Sequence, residues 1–425
     1  MAHLDARTGY DHLIGRLNRF PQGAPDSKSL QGILSILMSE TEASLVARLP
    51  IKPFTAAQAA RIWKMKPVEA RKILDGLASR CLLLDTMGRA HDLYVLPPPM
   101  AGFFEFSLMR LRGDVDQKLL SELFHQYINV EEDFITALFG METKLGRAFV
   151  HEPVLSADNA LHTLDYERAS EVIKTAPHRG VGLCYCRHKM GHRGTACDAP
   201  LDICMTFGNT AAALIRHGYA RSVDAREGRD LLQQAYGRNL VQFGENVRRE
   251  VGFICNCCGC CCEALIAARR LGSLRAIHTT NFSPRVDRRT CAGCGDCAVI
   301  CPVEAMGLVS ANDPQTPRKK TARVDESICI GCGVCVRACK TKSLELVSRP
   351  ARVITPLDSV HKAVLMAIEK GTLQDLIFDN RALRSHRAMA AILGVILKMP
   401  PLKQALASRQ MKSRYLEALI ARMKT

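Results

Sequence analysis

CAGCGDCAVICP, residues 291–302, and CIGCGVCVRACK, residues 329–340, are two copies of one spacing, C-x2-C-x2-C-x3-C. Each copy follows a strand-like stretch (RVDRRT, ARVDESI) and precedes another (MGLVS, SLELVS), so the repeat covers a structural unit and not only its cysteines. Three cysteines at this spacing take corners of one four-iron cubane, and the fourth points away to ligate the other cluster. The spacing therefore predicts one [4Fe-4S] cluster on Cys291, Cys294, Cys297 and Cys339, and a second on Cys329, Cys332, Cys335 and Cys301. Gly293, Gly295, Gly331 and Gly333 let the backbone come close and aim N–H groups at the sulfurs. Zinc also uses C-x2-C pairs, but a tetrahedral ion has no use for eight cysteines in this doubled order.

Residues 285–347 resemble a bacterial-type two-cluster ferredoxin domain. They depart from that pattern twice: Lys340 replaces the proline that often follows the fourth cysteine, and NDPQTPRKKTA lengthens the linker between the repeats. Neither change removes a ligand. Lys340 places positive charge near a cluster and is expected to raise that cluster's reduction potential.

Ten further cysteines lie upstream. Cys184, Cys186, Cys197 and Cys204 are spaced C-x-C-x10-C-x6-C, while Cys255, Cys257, Cys258, Cys260, Cys261 and Cys262 crowd into eight positions of VGFICNCCGCCCEAL, residues 251–265. VGLCYC and VGFICNC both read as a buried strand ending in Cys-x-Cys, with i and i+2 on one face. Helical stretches between them, MTFGNTAAALIRHGYA and REGRDLLQQAYGRN, imply a small α/β unit whose ligands gather at the carboxyl ends of strands. The first four have loops long enough to close around one cluster unaided. The six-cysteine run spans at most about 28 Å when extended, and its neighbouring side chains cannot all converge on one cubane. Ten thiols accommodate one or two further iron–sulfur clusters, or one cluster plus an unusual redox site. His188 and His192, beside Arg187, Lys189 and Arg193, read as a basic loop balancing cluster charge and not as ligands. Cys257-Cys258-Gly259 is similar to the CCG signature of heterodisulfide-reductase-like domains, although the spacing to the next cysteine pair does not fit.

Composition agrees with metal chemistry. The chain has 19 cysteines in 425 residues, and its first residues, MAHLDARTGYDH, lack the apolar core of a secretory signal. Reduced intracellular thiols in such number point to metal or redox chemistry rather than disulfides, and the expected location is the cytoplasm. The longest apolar run, AMAAILGVIL, is too short to span a bilayer, so no transmembrane segment is expected. Cys81 reads as a buried apolar residue.

Upstream, Thr55 caps a helix running to about Lys64, Pro67 opens a second running to Ser79, and LLLD and LYVL flank a turn. This order resembles a winged helix-turn-helix. Its second helix offers Glu69, Arg71, Lys72 and Asp75 in a nearly neutral segment, a poor basis for nucleic-acid binding. The net charge of +16 is concentrated at the far end: residues 350–425 hold 13 Lys and Arg against 5 Asp and Glu. Three helices are expected there, SVHKAVLMAIEKG, SHRAMAAILGVILKM and PLKQALASRQMKSRYLEALIARMK, forming a basic surface for an acidic redox partner protein or oxidoreductase complex.

The expected organisation is α+β and multidomain. A winged-helix-like domain (1–100), a helical connector (101–150), a cysteine-rich α/β domain (151–284), a two-cluster ferredoxin domain (285–349) and a basic helical tail (350–425) follow in order. As a whole the chain resembles bacterial multi-cluster 4Fe-4S ferredoxin-type proteins. That resemblance implies an electron-transfer protein, or the electron-transfer subunit of an oxidoreductase. No dinucleotide or P-loop fingerprint occurs, so electrons are expected to arrive from another protein. The alternative is a redox-sensing transcriptional regulator binding DNA through the winged helix.

Overall fold

The computed structural model describes residues 8–86, 92–272, 276–312 and 319–379, and shows a mixed α+β chain in two compact units. One comprises residues up to 143, 212–220 and those from 358 onward; the other comprises 144–211 and 221–357. All eighteen cysteines of the two cysteine-rich stretches belong to the second unit.

In the first unit Thr55 and Gln58 form a capping box at the start of helix Ala56–Trp63, which stops at Lys64 in a left-handed conformation. Pro67 opens the next helix, Pro67–Ser79. Strands β1 (Phe54–Thr55), β2 (Leu84–Thr86) and β3 (Leu93–Val95) form an antiparallel sheet in the order β1-β3-β2. These elements fall where the sequence places them. Arg71, on the second helix, lies 2.6 Å from Asp92 and 3.6 Å from Asp75, so its charge is already answered by neighbouring carboxylates. Cys81 is fully buried beside Phe106, Met109, Leu214 and Tyr219. Of the expected tail helices, Ser359–Lys370 is present; the other two lie outside the described residues. Among the described residues no helix is long and apolar enough to cross a membrane.

The second unit is built on a six-stranded sheet. Its strands are β4 (Gly146–Ala148), β5 (Arg179–Gly182), β6 (Cys204–Phe207), β7 (Arg221–Ser222), β8 (Val241–Glu245) and β9 (Phe253–Cys257), ordered β4-β8-β9-β6-β5-β7. Every pairing in it is antiparallel, and Cys204 opens β6 while Cys257 ends β9, which corrects the expected α/β unit with ligands gathered at the carboxyl ends of its strands. One face buries Val181, Met205, Phe207 and Ile254 with Ile173, Leu232 and Tyr236 from helices Ala169–Thr175 and Ala225–Gly237. Because side chains alternate along a strand, the residues adjacent to Met205 and Ile254, namely Cys204 and Cys255, turn to the other face, and Cys257 joins them.

The ferredoxin-like portion consists of two antiparallel ribbons. Strand β10 (Phe282–Val286) pairs with β13 (Leu344–Ser348), and β11 (Met306–Ser310) with β12 (Lys320–Val324). Short helices Asp296–Val299 and Val334–Ala338 follow the two cysteine loops, each entered through a glycine in the left-handed region, Gly295 and Gly333. The second loop is seated on the six-stranded sheet by backbone bonds: His151 N–H donates to the Cys332 carbonyl at 2.8 Å, while its ring contacts the Leu240 carbonyl. Arg349 also donates to the Cys329 carbonyl.

Candidate metal centres

The ferredoxin cysteines fall into two neighbourhoods. The thiol of Cys297 feels Cys291, Cys294 and Cys339 as its charged neighbours. Cys335 feels Cys332, Cys329 and Cys301, and more weakly Cys297. Burial pushes the Cys332 thiol up to about 12, with Cys329 and Cys301 adding to the shift against a hydrogen bond from the Val334 N–H. Five of the eight cysteines are buried, Cys301 and Cys339 are partly so and Cys294 is exposed. Backbone donors point at the outer pair: Ala305 N–H reaches Cys301 Sγ at 3.2 Å, and Ser343 N–H reaches Cys339 Sγ at 3.3 Å. Such bonds orient sulfur ligands and set the potential of what they hold.

Two loop glycines admit no side chain. Gly293 has φ +66°, and a Cβ there would sit 2.3 Å from the Lys320 carbonyl oxygen. Gly331 has φ +70°, and a Cβ would sit 2.2 Å from the Phe282 carbonyl oxygen. The chain is thus folded tightly round each cysteine loop, as a buried anionic group accepting backbone N–H bonds requires.

The ten upstream cysteines divide differently from the sequence expectation. Only the second Cys-x-Cys lies on a strand, β9. Strand β5 ends at Gly182, Cys184 becomes the N-cap of helix Tyr185–His192, and Cys186 lies in that helix's first turn. The reason is local: after Gly182 the Cys184 N–H bonds to the Leu201 carbonyl, turning the chain out of the sheet, and the His188 N–H then closes the first helical turn on the Cys184 carbonyl.

Six of these thiols adjoin one another in a ring: Cys184 is influenced by Cys186 and Cys204, Cys255 by Cys204 and Cys257, and Cys262 by Cys186 and Cys257. The β6–β9 register explains one side: it pairs Met205 with Ile254, and one residue further puts Cys204 opposite Cys255. Cys262, the N-cap of helix Glu263–Leu271, closes the other side. The two thiols beside each lower Cys255 to about 5 and Cys262 to about 6, while Cys186, Cys204 and Cys257 are raised by theirs. Cys184, Cys204, Cys257 and Cys262 are buried; Cys186 and Cys255 are partly so.

The other four, Cys197, Cys258, Cys260 and Cys261, have sulfurs all within 4.8 Å of one another. Cys197 therefore leaves Cys184, Cys186 and Cys204, which do not close round one cluster with it, because its loop carries it to the turn at Cys258–Cys261. The six-cysteine run is shared between the two groups, three thiols each.

Arg187 lies near both groups, in the basic stretch read from sequence as balancing cluster charge, although that stretch is the helix Tyr185–His192 and not a loop. Its guanidinium donates to the Pro200 and Asn256 carbonyls, and its Nε has no hydrogen-bond partner despite being buried. Burial alone would lower its pKa, but the thiols of Cys184, Cys258, Cys204 and Cys257 outweigh that and hold it charged. A buried cation with an unspent donor, held charged by nearby thiols, fits an anionic metal–thiolate group. His188 and His192 lie ring to ring, Nε2 to Nε2 3.2 Å apart, and neither joins the four-sulfur group. Sequence reading also missed Glu263, which follows Cys262 and pairs with Lys189 in the interior.

Residues 290–343 match the 4Fe-4S dicluster domain family. Together with the grouped cysteines, that match gives the chain a ferredoxin-type 4Fe-4S domain over residues 290–343 and supports iron–sulfur chemistry there. No match was found among curated proteins or among solved structures.

Proposed function

We propose that this chain is a cytoplasmic electron-transfer protein, or such a subunit of an oxidoreductase, with more than two iron–sulfur clusters. Cys291, Cys294, Cys297 and Cys339 would hold one [4Fe-4S] cluster, and Cys329, Cys332, Cys335 and Cys301 the other. The six-thiol ring of Cys184, Cys186, Cys204, Cys255, Cys257 and Cys262 would hold a further cluster. When bound, such clusters take up and release single electrons. The chain's own part is to supply deprotonated sulfur, to aim backbone N–H groups at it and to keep water away. The single observation that carries the reading is the presence of both cysteine systems in one compact unit, the dicluster repeat beside a ring of six thiols. The basic excess of the sequence favours an acidic redox partner, met faster at low salt.

The test is anaerobic purification followed by iron and acid-labile sulfide analysis and reductive titration followed by EPR. Two cubanes account for about 8 irons, and a further cubane brings the content to about 12. A fully loaded protein holding only about 8 irons overturns the further cluster. Clusters that cannot be reversibly reduced overturn the electron-transfer reading itself.

A further inference from the structure

We propose that Cys197, Cys258, Cys260 and Cys261 hold one tetrahedrally coordinated metal ion, zinc or iron, at a site separate from every cluster. The inference rests on the reading that the cysteine-rich portion binds metal, and not on electron transfer.

Distance is the first support. Cys197 Sγ lies 3.4 Å from Cys258 Sγ and 3.9 Å from Cys261 Sγ, Cys260 and Cys261 are 3.6 Å apart, and no pair among the four exceeds 4.8 Å. Four thiolates about 2.3 Å from one ion occupy corners about 3.8 Å apart. In a cubane each thiolate binds a different iron and points away from the centre, so its four sulfurs stand farther apart. The same chain supplies the comparison: among the described residues, no three ferredoxin cysteines bring their sulfurs within 4.8 Å of one another. The ring of six does not do so either.

Local structure gathers the group. Cys262 N–H bonds to the Cys258 carbonyl, closing a turn that points Cys258, Cys260 and Cys261 to one centre. Gly259 lets that turn press on Pro302, where a Cβ would come within 2.8 Å of the Pro302 carbonyl oxygen. Cys197 arrives from the loop after helix Tyr185–His192. Four soft thiolates in tetrahedral array select zinc or iron over hard cations, and the surplus negative charge of such a site faces Arg187. A pocket of about 300 Å³ lined by Arg187, His188, His192, Cys197 and Leu201 opens beside it, and Cys260 is itself exposed, giving an ion a way in.

The test compares the full-length wild type with Cys260→Ser and with Cys197→Ser/Cys260→Ser, all purified anaerobically and analysed for zinc, iron and sulfide. The expected result is loss of one equivalent of either zinc or iron with sulfide and the ferredoxin EPR signals unchanged. Loss of zinc marks a redox-silent site, and loss of one iron marks a one-electron site; both support the single ion. Loss of about four irons with matching sulfide overturns the proposal in favour of a cubane, and no loss of metal overturns it in favour of free thiols. Should the double variant misfold, wild type grown with cobalt keeps the question open to measurement: tetrahedral tetrathiolate absorption lost in the exposed-site Cys260→Ser variant is expected, and its absence from wild type overturns the proposal. An iron content of about 8 would remove the further cluster while leaving this result standing.

Discussion

Lys189 and Glu263 form an ion pair whose side chains are 0% and 2% exposed. Lys189 sits on the helix capped by Cys184, and Glu263 on the helix capped by Cys262, so the pair clamps together two elements of the six-thiol ring. Removing one partner of a buried pair leaves an uncompensated charge and costs about 3–5 kcal/mol. Lys189→Met is expected to lower the melting temperature of the holoprotein by about 2–4 °C per kcal/mol for a unit of this size, with loss of iron beyond the ferredoxin complement. Lys189→Met/Glu263→Leu, which removes both charges, is expected to recover much of the melting temperature. Calorimetry with iron analysis checks both; a single variant as stable as wild type would remove the clamp.

Gly331→Ala addresses the second cysteine loop. The new Cβ meets the Phe282 carbonyl and Thr280 Oγ1 at 2.2 and 2.3 Å, and φ is +70°. Backbone strain of this kind costs about 1–3 kcal/mol before any clash is relieved. The expected outcome is incomplete loading of the cluster on Cys329, Cys332 and Cys335, read by EPR spin quantification. At Gly295 the nearest atom to a new Cβ is the side-chain terminus Leu308 Cδ1 at 3.3 Å. Gly295→Ala should therefore carry the backbone strain without the clash, and load better.

How far these features were readable from sequence depends on how local their causes are. The ferredoxin ribbons and loop glycines follow from short-range spacing, and the helices at Thr55 and Pro67 follow from capping and proline chemistry. The antiparallel order of the six-stranded sheet was not readable, because strand pairing such as β4 with β8 joins residues roughly a hundred positions apart. The division of the ten cysteines was hidden for the same reason. Cys197 is nearest in sequence to Cys204 yet lies against Cys258, 61 residues away. Adjacent residues Cys261 and Cys262 go to different groups because a turn ends and a helix begins between them.

Crossed ligation in the ferredoxin portion predicts an asymmetric result for Cys301→Ala. The cluster on Cys329, Cys332 and Cys335 should be damaged or lost, about 4 irons for a cubane, while that on Cys291, Cys294 and Cys297 remains by EPR. This follows from the neighbourhood of Cys301, which lies among the thiols around Cys332 and Cys335. Loss confined to the other cluster would refute the crossing.

The last prediction concerns Lys340, whose Nζ lies 3.0 Å from Asp296 Oδ2. The sequence expectation that Lys340 adds positive charge and raises a cluster potential needs adjusting, because Asp296 answers that charge. Asp296 raises the Lys340 pKa, and Cys294 adds to the shift, which puts the pair beside the cluster assigned to Cys291, Cys294, Cys297 and Cys339. Lys340→Gln leaves Asp296 unopposed, adds net negative charge and is expected to lower that cluster's potential. Asp296→Asn frees the lysine and is expected to raise it. Lys340 is 85% exposed, so both shifts should be small and should shrink further as ionic strength rises from 0.01 to 1 M, where screening lengths fall from about 30 to 3 Å. Protein-film voltammetry at the two salt concentrations reads both signs, and shifts in the same direction for the two variants would refute the pairing.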